Sequence, residues 1–586
     1  MKNAIRLSLV AALAVLWSHA YAQQAADSVA PEMATGMSSR EAVRASSHMV
    51  ATANPLSTKA GADVLAAGGN AIDAMVAVQL VLGLVEPQSS GIGGGAFLVY
   101  YDSDTDRLTT FDGRETAPMA ATPTLFQDEN GEPLQFFDAV VGGRSVGTPG
   151  TLKLLYEVHA AHGSVEWAQL VQPAIDLADN GFEVSERLAM MLELDRERLG
   201  LHSETADHFF DADGTPHPQG HLLTNPAYAQ TLRLIAENGA DAFYTGPLAQ
   251  MIVYTVKSGI PGNPGVLAIE DLANYRVKER PPVCLPYRGY EVCGMGPPSS
   301  GGLTVGQILG ILEPFDLASR SPADPETWQL IGDASRLAFS DRGRYMADND
   351  FVPMPTKGLL DRAYLDERAS LITPGIALPQ DDVKAGAPEW DHAMLLADDE
   401  SIELPSTTHF SIVDSDGNVV SMTTTIENSF GSRLKTGGFL LNNQLTDFSF
   451  RSHQDGIPIA NRVEPGKRPR SSMAPTIIMK DGKPYMAIGS PGGSRIIGYV
   501  ARAIIAHLDW GMDVQTAVNM PHLVNRFGPF DIESGTEAER LAAPLEALGY
   551  SVSIRDLNSG LHVIQILQDA LIGGADPRRE GTVLGE

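Results

Sequence analysis

Thr407 has the type and the setting to do chemistry. Residues 397–405 (Ala-Asp-Asp-Glu-Ser-Ile-Glu-Leu-Pro) are polar and end in proline, and they read as an exposed connector. From His409 to Asp414 the residues alternate as on a half-buried strand, Asp416-Gly417-Asn418 makes a turn, and residues 419–426 return as the second strand of a hairpin. A threonine entering a central strand straight after a loop suits one reaction in particular. Cutting between Ser406 and Thr407 would give Thr407 a hydroxyl nucleophile and its own free amine as base. An α-amine has a reference pKa of about 7.7–8.0, so a useful fraction is unprotonated near neutrality. Taken locally, the same residues are only a threonine-rich hairpin, because threonine favours strands. The wider sequence decides between the two.

Six motifs occur in order: F-D-G-R-E-T-A-P (111–118), T-T-H-F-S (407–411), T-T-T-I-E-N-S-F-G (423–431), L-L-N-N-Q-L-T-D-F-S (440–449), K-R-P-R-S-S-M-A-P-T (467–476) and G-S-P-G-G-S-R-I (489–496). With them the chain resembles the γ-glutamyltranspeptidase family of N-terminal-nucleophile hydrolases over nearly its whole mature length. The resemblance implies an α/β (α+β) fold, a four-layer αββα sandwich, built as one large domain from two chains made by self-cleavage. Those chains would be a large subunit, residues 23–406, and a small catalytic subunit, residues 407–586, forming a heterodimer.

The resemblance also implies roles. Thr407 is the nucleophile, Thr425 orients its amine, and the backbone of Gly492 and Gly493 stabilises the oxyanion. Arg114 clasps the α-carboxylate of a γ-glutamyl group together with Ser471 and Ser472, and a guanidinium suits a carboxylate by its bidentate fork. Gln444 and Asp447 hold the α-amino group, as does Glu427, which stands where several relatives carry asparagine and makes the pocket more anionic. One cation, acids and hydroxyls around a zwitterion form a coherent recognition scheme by themselves. The substrate class is then glutathione and other γ-glutamyl amides, with water or an amino acid or dipeptide as acceptor. No cofactor or metal is signalled. Residues 450–466 and 435–438 look shorter than the lid of some relatives, so the sequence leaves the choice of acceptor open.

Other signals point elsewhere. Gly143-Arg144-Ser145-Val146-Gly147 matches the G-x-S-x-G of a nucleophile elbow, but Thr148-Pro149-Gly150 intervenes before the next helix, where an elbow serine sits at the strand-to-helix turn itself. Asp211-Ala212-Asp213-Gly214 resembles the start of a calcium loop, yet the twelfth position is Leu222, so a plain turn is the better reading. Gly91 to Gly95 lack dinucleotide-fingerprint spacing and precede a strand, which suits close approach of the backbone to other backbone or to a ligand. An acylase of the same fold, cleaving glutaryl amides such as cephalosporin side chains, is a second enzyme reading; its acyl group would leave Asp447 unpaired. A third reading is an exported binding protein without chemistry, against which Thr407, Thr425 and the Gly492-Gly493 pair speak.

The rest of the chain must position these residues. Lys2 and Arg6, an apolar run over 7–17 and Ala20-Tyr21-Ala22 read as a secretory signal, residues 1–22, too short in its apolar core to span a bilayer. The product is thus expected to be exported, periplasmic or secreted. A net charge of −30, spread along the 586 residues, argues against nucleic acid or anionic membrane as partner. The two cysteines, Cys284 and Cys293, fall opposite each other if Arg288 and Gly289 form a hairpin tip. They can then close a disulfide in an oxidising compartment, or remain two free thiols. Helices are expected over 56–67, 70–85, 152–161, 166–180, 185–199, 228–239, 247–258, 303–312, 328–341 and 494–508, with strands at 49–53, 96–101, 476–479, 484–488, 550–554 and 562–567 closing one sheet system.

Overall fold

In the computed structural model, which describes residues 34–399, 401, 403–404 and 406–586, strand alternation sorts side chains onto two faces and so sets the layers. In chain order the strands that matter are β1 (Val43–Ala45), β2 (Met49–Thr52), β3 (Gly95–Asp102), β4 (Arg107–Gly113), β5 (Lys278–Arg280), β6 (Val283–Tyr287), β7 (Tyr290–Gly294), β8 (Thr408–Val413), β9 (Val419–Thr425), β10 (Thr476–Lys480), β11 (Lys483–Gly489), β12 (His562–Leu567), β13 (Ala570–Ala575) and β14 (Thr582–Gly585). They form two seven-stranded sheets, ordered β1-β13-β12-β11-β10-β7-β6 and β14-β2-β8-β9-β3-β4-β5. Every neighbouring pair is antiparallel.

The inner faces meet in a core that takes Met49, Ala51, Val99, Val413 and Val419 from the second sheet and Ile477, Ala487, Ile564 and Leu571 from the first. The outer face of the second sheet, with Leu98, Phe410, Ile412, Val420 and Met422, packs on helices that include α1 (Pro55–Ala66) and α2 (Ala71–Val85). The outer face of the first, with Leu285, Val292, Ile478 and Ile488, packs on α3 (Gly301–Leu312), α4 (Pro325–Tyr345) and α5 (Ile496–Leu508). Helix, sheet, sheet, helix is the αββα sandwich expected. Each large apolar side chain so buried contributes about 1.5–3 kcal/mol. The start of α2 is fixed by a capping box, Asn70 accepting from the Asp73 N–H and the Asp73 carboxylate accepting from the Asn70 N–H.

Several sequence expectations need correction. Residues 552–555 do not join the main sheets: they pair in parallel with Phe530–Glu533 in a separate three-stranded sheet, and the short helix Ala542–Leu548 supplies the crossover that parallel pairing needs. The helix expected over 185–199 breaks at Asp195, whose carboxylate is held by Arg198 and Arg433. The sequence reading did not anticipate β13 and β14. Gly573 and Gly574 make β13 look like a poor strand, but a Cβ on Gly573 would lie 2.4 Å from Val583 and 2.5 Å from Met49, so glycine lets the two sheets close there. On the β6-β7 hairpin, Cys284 faces Cys293 and the two are joined by a disulfide. The expected signal, residues 1–22, lies outside the described residues.

Candidate active site

Hairpin β8-β9 lies in the middle of its sheet and puts Thr407 and Thr425 at one end, on the face turned to the other sheet. Ser411 and Ser421 on the same face donate to the carbonyls of His562 and Ile488 across the gap. The Thr407 hydroxyl donates to Thr425 Oγ1 at 3.2 Å, and the Thr425 hydroxyl donates to the Ser406 carbonyl at 2.8 Å. The Glu427 N–H donates to the same Thr425 oxygen at 2.9 Å. Thr425 therefore uses its one proton and both lone pairs around the Ser406–Thr407 bond. Three further contacts grip that bond: Ser406 Oγ to the Gln88 carbonyl (2.7 Å), Arg579 Nη1 to the Thr407 carbonyl (3.1 Å) and Thr408 Oγ1 to Glu86 Oε2 (3.1 Å). The glycine run works as expected: a Cβ on Gly94 would sit 2.1 Å from the Thr425 carbonyl oxygen.

Arg114, Glu427, Gln444, Asp447, Ser471, Ser472 and Gly493 line one cavity with Thr407 and Thr425. Gly492 stands beside it at φ +139, where a Cβ would press on Tyr499. The free space is about 20 Å³, roughly one water molecule's worth. Glu403 and Leu404 line it as well, so the connector is not exposed throughout as its composition suggested: Leu404 is buried and Gly493 approaches its carbonyl. Sequence composition misled because an acidic, proline-ended segment looks solvated even where its acids have buried cationic partners.

The charges are concentrated and dry. Asp447 accepts from Arg114 Nη2 and, at 2.7 Å, from Gln444 Nε2. Arg114 also donates to the carbonyls of Pro469 and Arg470 at 3.2 and 2.9 Å. Burial pushes the Asp447 carboxyl up to about 6 against the pull of Arg114, and burial together with the Asp447 charge pushes Glu427 well above the usual carboxylate range. Glu427 accepts from Asn443 Nδ2 and sits at φ +80, a region an ordinary side chain enters only where its surroundings hold it. With Asp447 held by Arg114 and Gln444, an acyl group lacking an amine would not strand it, contrary to the sequence expectation.

Sequence reasoning missed Glu86, Gln88, Arg342, Glu403, Asn443, Arg470 and Arg579. Asn443 and Arg470 lie inside two quoted motifs, and their neighbours were the available clue. The others come from distant stretches that only the fold brings together. Of the rival signals, Ser145 is buried in a short 3₁₀ turn and donates to the Val140 carbonyl at 2.6 Å, which is no elbow, and residues 211–214 form a turn closed by Gly214 N–H on the Asp211 carbonyl.

Two stacked antiparallel sheets between helical layers, with a threonine entering a central strand at a polar cleft, define a fold of the N-terminal-nucleophile hydrolase type. Over 95% of its length the chain superposes on 99% of a cephalosporin acylase from Bacillus halodurans, with a TM-score of 0.81 and 27% identity. Residues 57–586 match the gamma-glutamyltranspeptidase family, and the chain belongs to that family. It is 40% identical to a glutathione hydrolase proenzyme of Bacillus subtilis (strain 168) over 92% of this chain and 91% of that one. With a glutathione hydrolase proenzyme of Escherichia coli (strain K12) the identity is 37% over 97% of each.

Proposed function

We propose that the chain is a γ-glutamyl hydrolase and transferase that activates itself by cutting between Ser406 and Thr407. The observation that carries this reading is the Thr425 hydroxyl, which donates to the Ser406 carbonyl at 2.8 Å while the Thr407 hydroxyl lies 3.2 Å from it. A donor on that carbonyl oxygen polarises the carbon Thr407 must attack and stabilises the oxyanion that forms. Thr407 Oγ bonds to the Ser406 carbonyl carbon, the peptide C–N bond breaks, and the hydroxyl proton ends on the freed amine. Water then hydrolyses the ester, leaving a carboxylate on Ser406 and a free Thr407.

In turnover the Thr407 amine takes the hydroxyl proton, Thr407 Oγ attacks the γ-carbonyl of a γ-glutamyl amide such as glutathione, and the proton passes to the departing amine, Cys-Gly. Water or an amino-acid acceptor releases the acyl group. Gly492 and Gly493 supply backbone donors to the oxyanion. Gln444, Glu427 and Asp447 take the α-ammonium, and Arg114, Ser471 and Ser472 take the α-carboxylate. The product is a heterodimer of residues 23–406 and 407–586, exported after loss of residues 1–22.

A denaturing gel with N-terminal sequencing tests the cut. The purified protein should run as two pieces, the smaller beginning Thr407-Thr408-His409-Phe410, and Thr407→Ala should stay whole and hydrolyse no γ-glutamyl-p-nitroanilide. An intact, active chain overturns the proposal. An acylase is the second reading, favoured by the pairing of Asp447 with Arg114 and Gln444; faster release from the glutaryl anilide than from the γ-glutamyl one would select it.

A further inference from the structure

Arg579 stands in the loop between β13 and β14 and is only 2% exposed. Its Nη1 donates to the Thr407 carbonyl at 3.1 Å and its Nε to Asn558 Oδ1 at 3.2 Å. Its stem runs beside Pro491, the residue before the Gly492-Gly493 turn: a Cβ on Gly560 would lie 3.0 Å from Arg579 Cδ and 2.7 Å from Pro491 Cγ. The loop is braced from outside by residues 34–40. The Thr35 N–H donates to the Arg578 carbonyl at 3.1 Å, the Ser38 N–H to the Pro577 carbonyl at 3.0 Å and Arg40 Nη2 to the Arg579 carbonyl at 3.3 Å.

A residue's nitrogen and carbonyl oxygen are three bonds apart, so a guanidinium bonded to the Thr407 carbonyl stands within about 7 Å of the Thr407 nitrogen. In the uncut chain that nitrogen is an amide. As a chain end it is an amine, and only its unprotonated form can take the hydroxyl proton. A like charge so near disfavours the protonated amine, and burial acts in the same direction. Other charges face the same place. Glu86, just past α2, accepts from Thr408 Oγ1 at 3.1 Å and is itself faced by Arg187, Arg579 and Glu580. Burial holds the His409 and His562 imidazoles below their ordinary range, so neither adds charge. Arg114, Glu427 and Asp447 line the cleft with Thr407, as does Glu403, which is held by Arg342 and Arg470. With the donor's ammonium and carboxylate in the places proposed above, the cleft charges are matched, and Arg579 and Glu86 are left to act on the amine.

We infer that Arg579 is the positioning residue of the nucleophile's chain end: its guanidinium fixes the Thr407 carbonyl and keeps the freed Thr407 amine unprotonated, ready to act as base. The inference rests on the proposed cut and on the γ-glutamyl reading. Arg579 touches neither substrate nor the reacting hydroxyl; it acts through the backbone of Thr407 and through its charge. Residues 34–40 hold the loop that presents it, so the first stretch of the large subunit steadies the first residue of the small one.

The test is the pH dependence of kcat on saturating γ-glutamyl-p-nitroanilide, which reports groups of the enzyme–substrate complex. Arg579→Gln keeps an N–H donor and drops the charge. The rising limb of its profile should move up by about one pH unit, a loss of about tenfold below the limb and little above it. Arg579→Lys keeps the charge and should hold the limb at its wild-type position. Glu86 also feels Arg579, so Glu86→Gln is the control: adding Arg579→Gln to it should still move the limb. A limb unmoved in Arg579→Gln, moved equally in Arg579→Lys, or moved only while Glu86 is present overturns the inference. A wild type that stays uncut, or is inert on this donor, sinks the γ-glutamyl reading instead. If Arg579→Gln does not mature, the cut wild type decides. Periodate cleaves an N-terminal threonine between Cα and Cβ through its unprotonated amine, so the rate of inactivation against pH titrates Thr407. A midpoint below the reference of about 7.7–8.0 for an α-amine supports the inference, and one at or above it overturns it.

Discussion

At the scale of single residues, the proposed cut depends on one hydroxyl. Thr425 donates to the Ser406 carbonyl and accepts from both Thr407 and the Glu427 N–H. Thr425→Val keeps the shape and removes the donor, so cutting should slow by about 10²–10³, the loss found when one oxyanion donor is removed. A time course of the two fragments on denaturing gels reads this, and cutting at the native rate would refute the role. The sequence made Thr407, Thr425, Asp447 and Ser472 visible because each lies in a motif whose residue types make sense together. It hid Glu403, Arg342 and Arg470 as a group because a cation and its partner 61 or 67 positions apart leave no periodic trace.

At the scale of elements, the two sheets approach each other closely where β11 ends. A Cβ on Gly489 would fall 2.4 Å from the His409 ring, which is held by Thr423 Oγ1 at 2.9 Å and Ser411 Oγ at 3.2 Å. His409 is two residues from Thr407 on the same face of β8. Gly489→Ala should therefore push the sheets apart locally, lower the melting temperature and slow cutting together; calorimetry and the fragment time course check the pair. A variant that melts lower yet cuts at the native rate would show that the strand end does not feel the spacing. Most elements were legible from apolar periodicity, as with α2, apolar nearly all round and buried. The exceptions were strands with glycines, such as β13, and the 552–555 strand, whose half-exposed residues gave no sign of which sheet they join.

At the scale of the whole molecule, buried acids set the response to pH. Burial pushes Glu115 up to about 8 and Glu86 up to about 7 from ordinary values of 4.5, against the pull of Arg114 on the first and of Arg187 and Arg579 on the second. Between pH 4.5 and 8 these two groups in the folded chain therefore hold protons that they have released in the unfolded chain, so their contribution to stability is full below 4.5 and is lost as pH rises through 7 and 8. Melting curves of the uncut Thr407→Ala chain should drop from pH 6 to pH 9, and Glu115→Gln should shrink that drop. An undiminished drop in the variant would remove Glu115 as its source.

The sheet order has an outcome of its own. In one sheet β8 and β9 lie between β2 and β3; in the other, β10 to β13 lie between β1 and β7. Each product of the break would thus own strands whose neighbours belong to the other, and neither could close its edges alone. Folding has to come first, while one continuous chain still guides every strand to its place. Denatured and then diluted, Thr407→Ala should regain its shape, whereas a chain severed as proposed should precipitate, because the cut would have removed the link that guided its halves together.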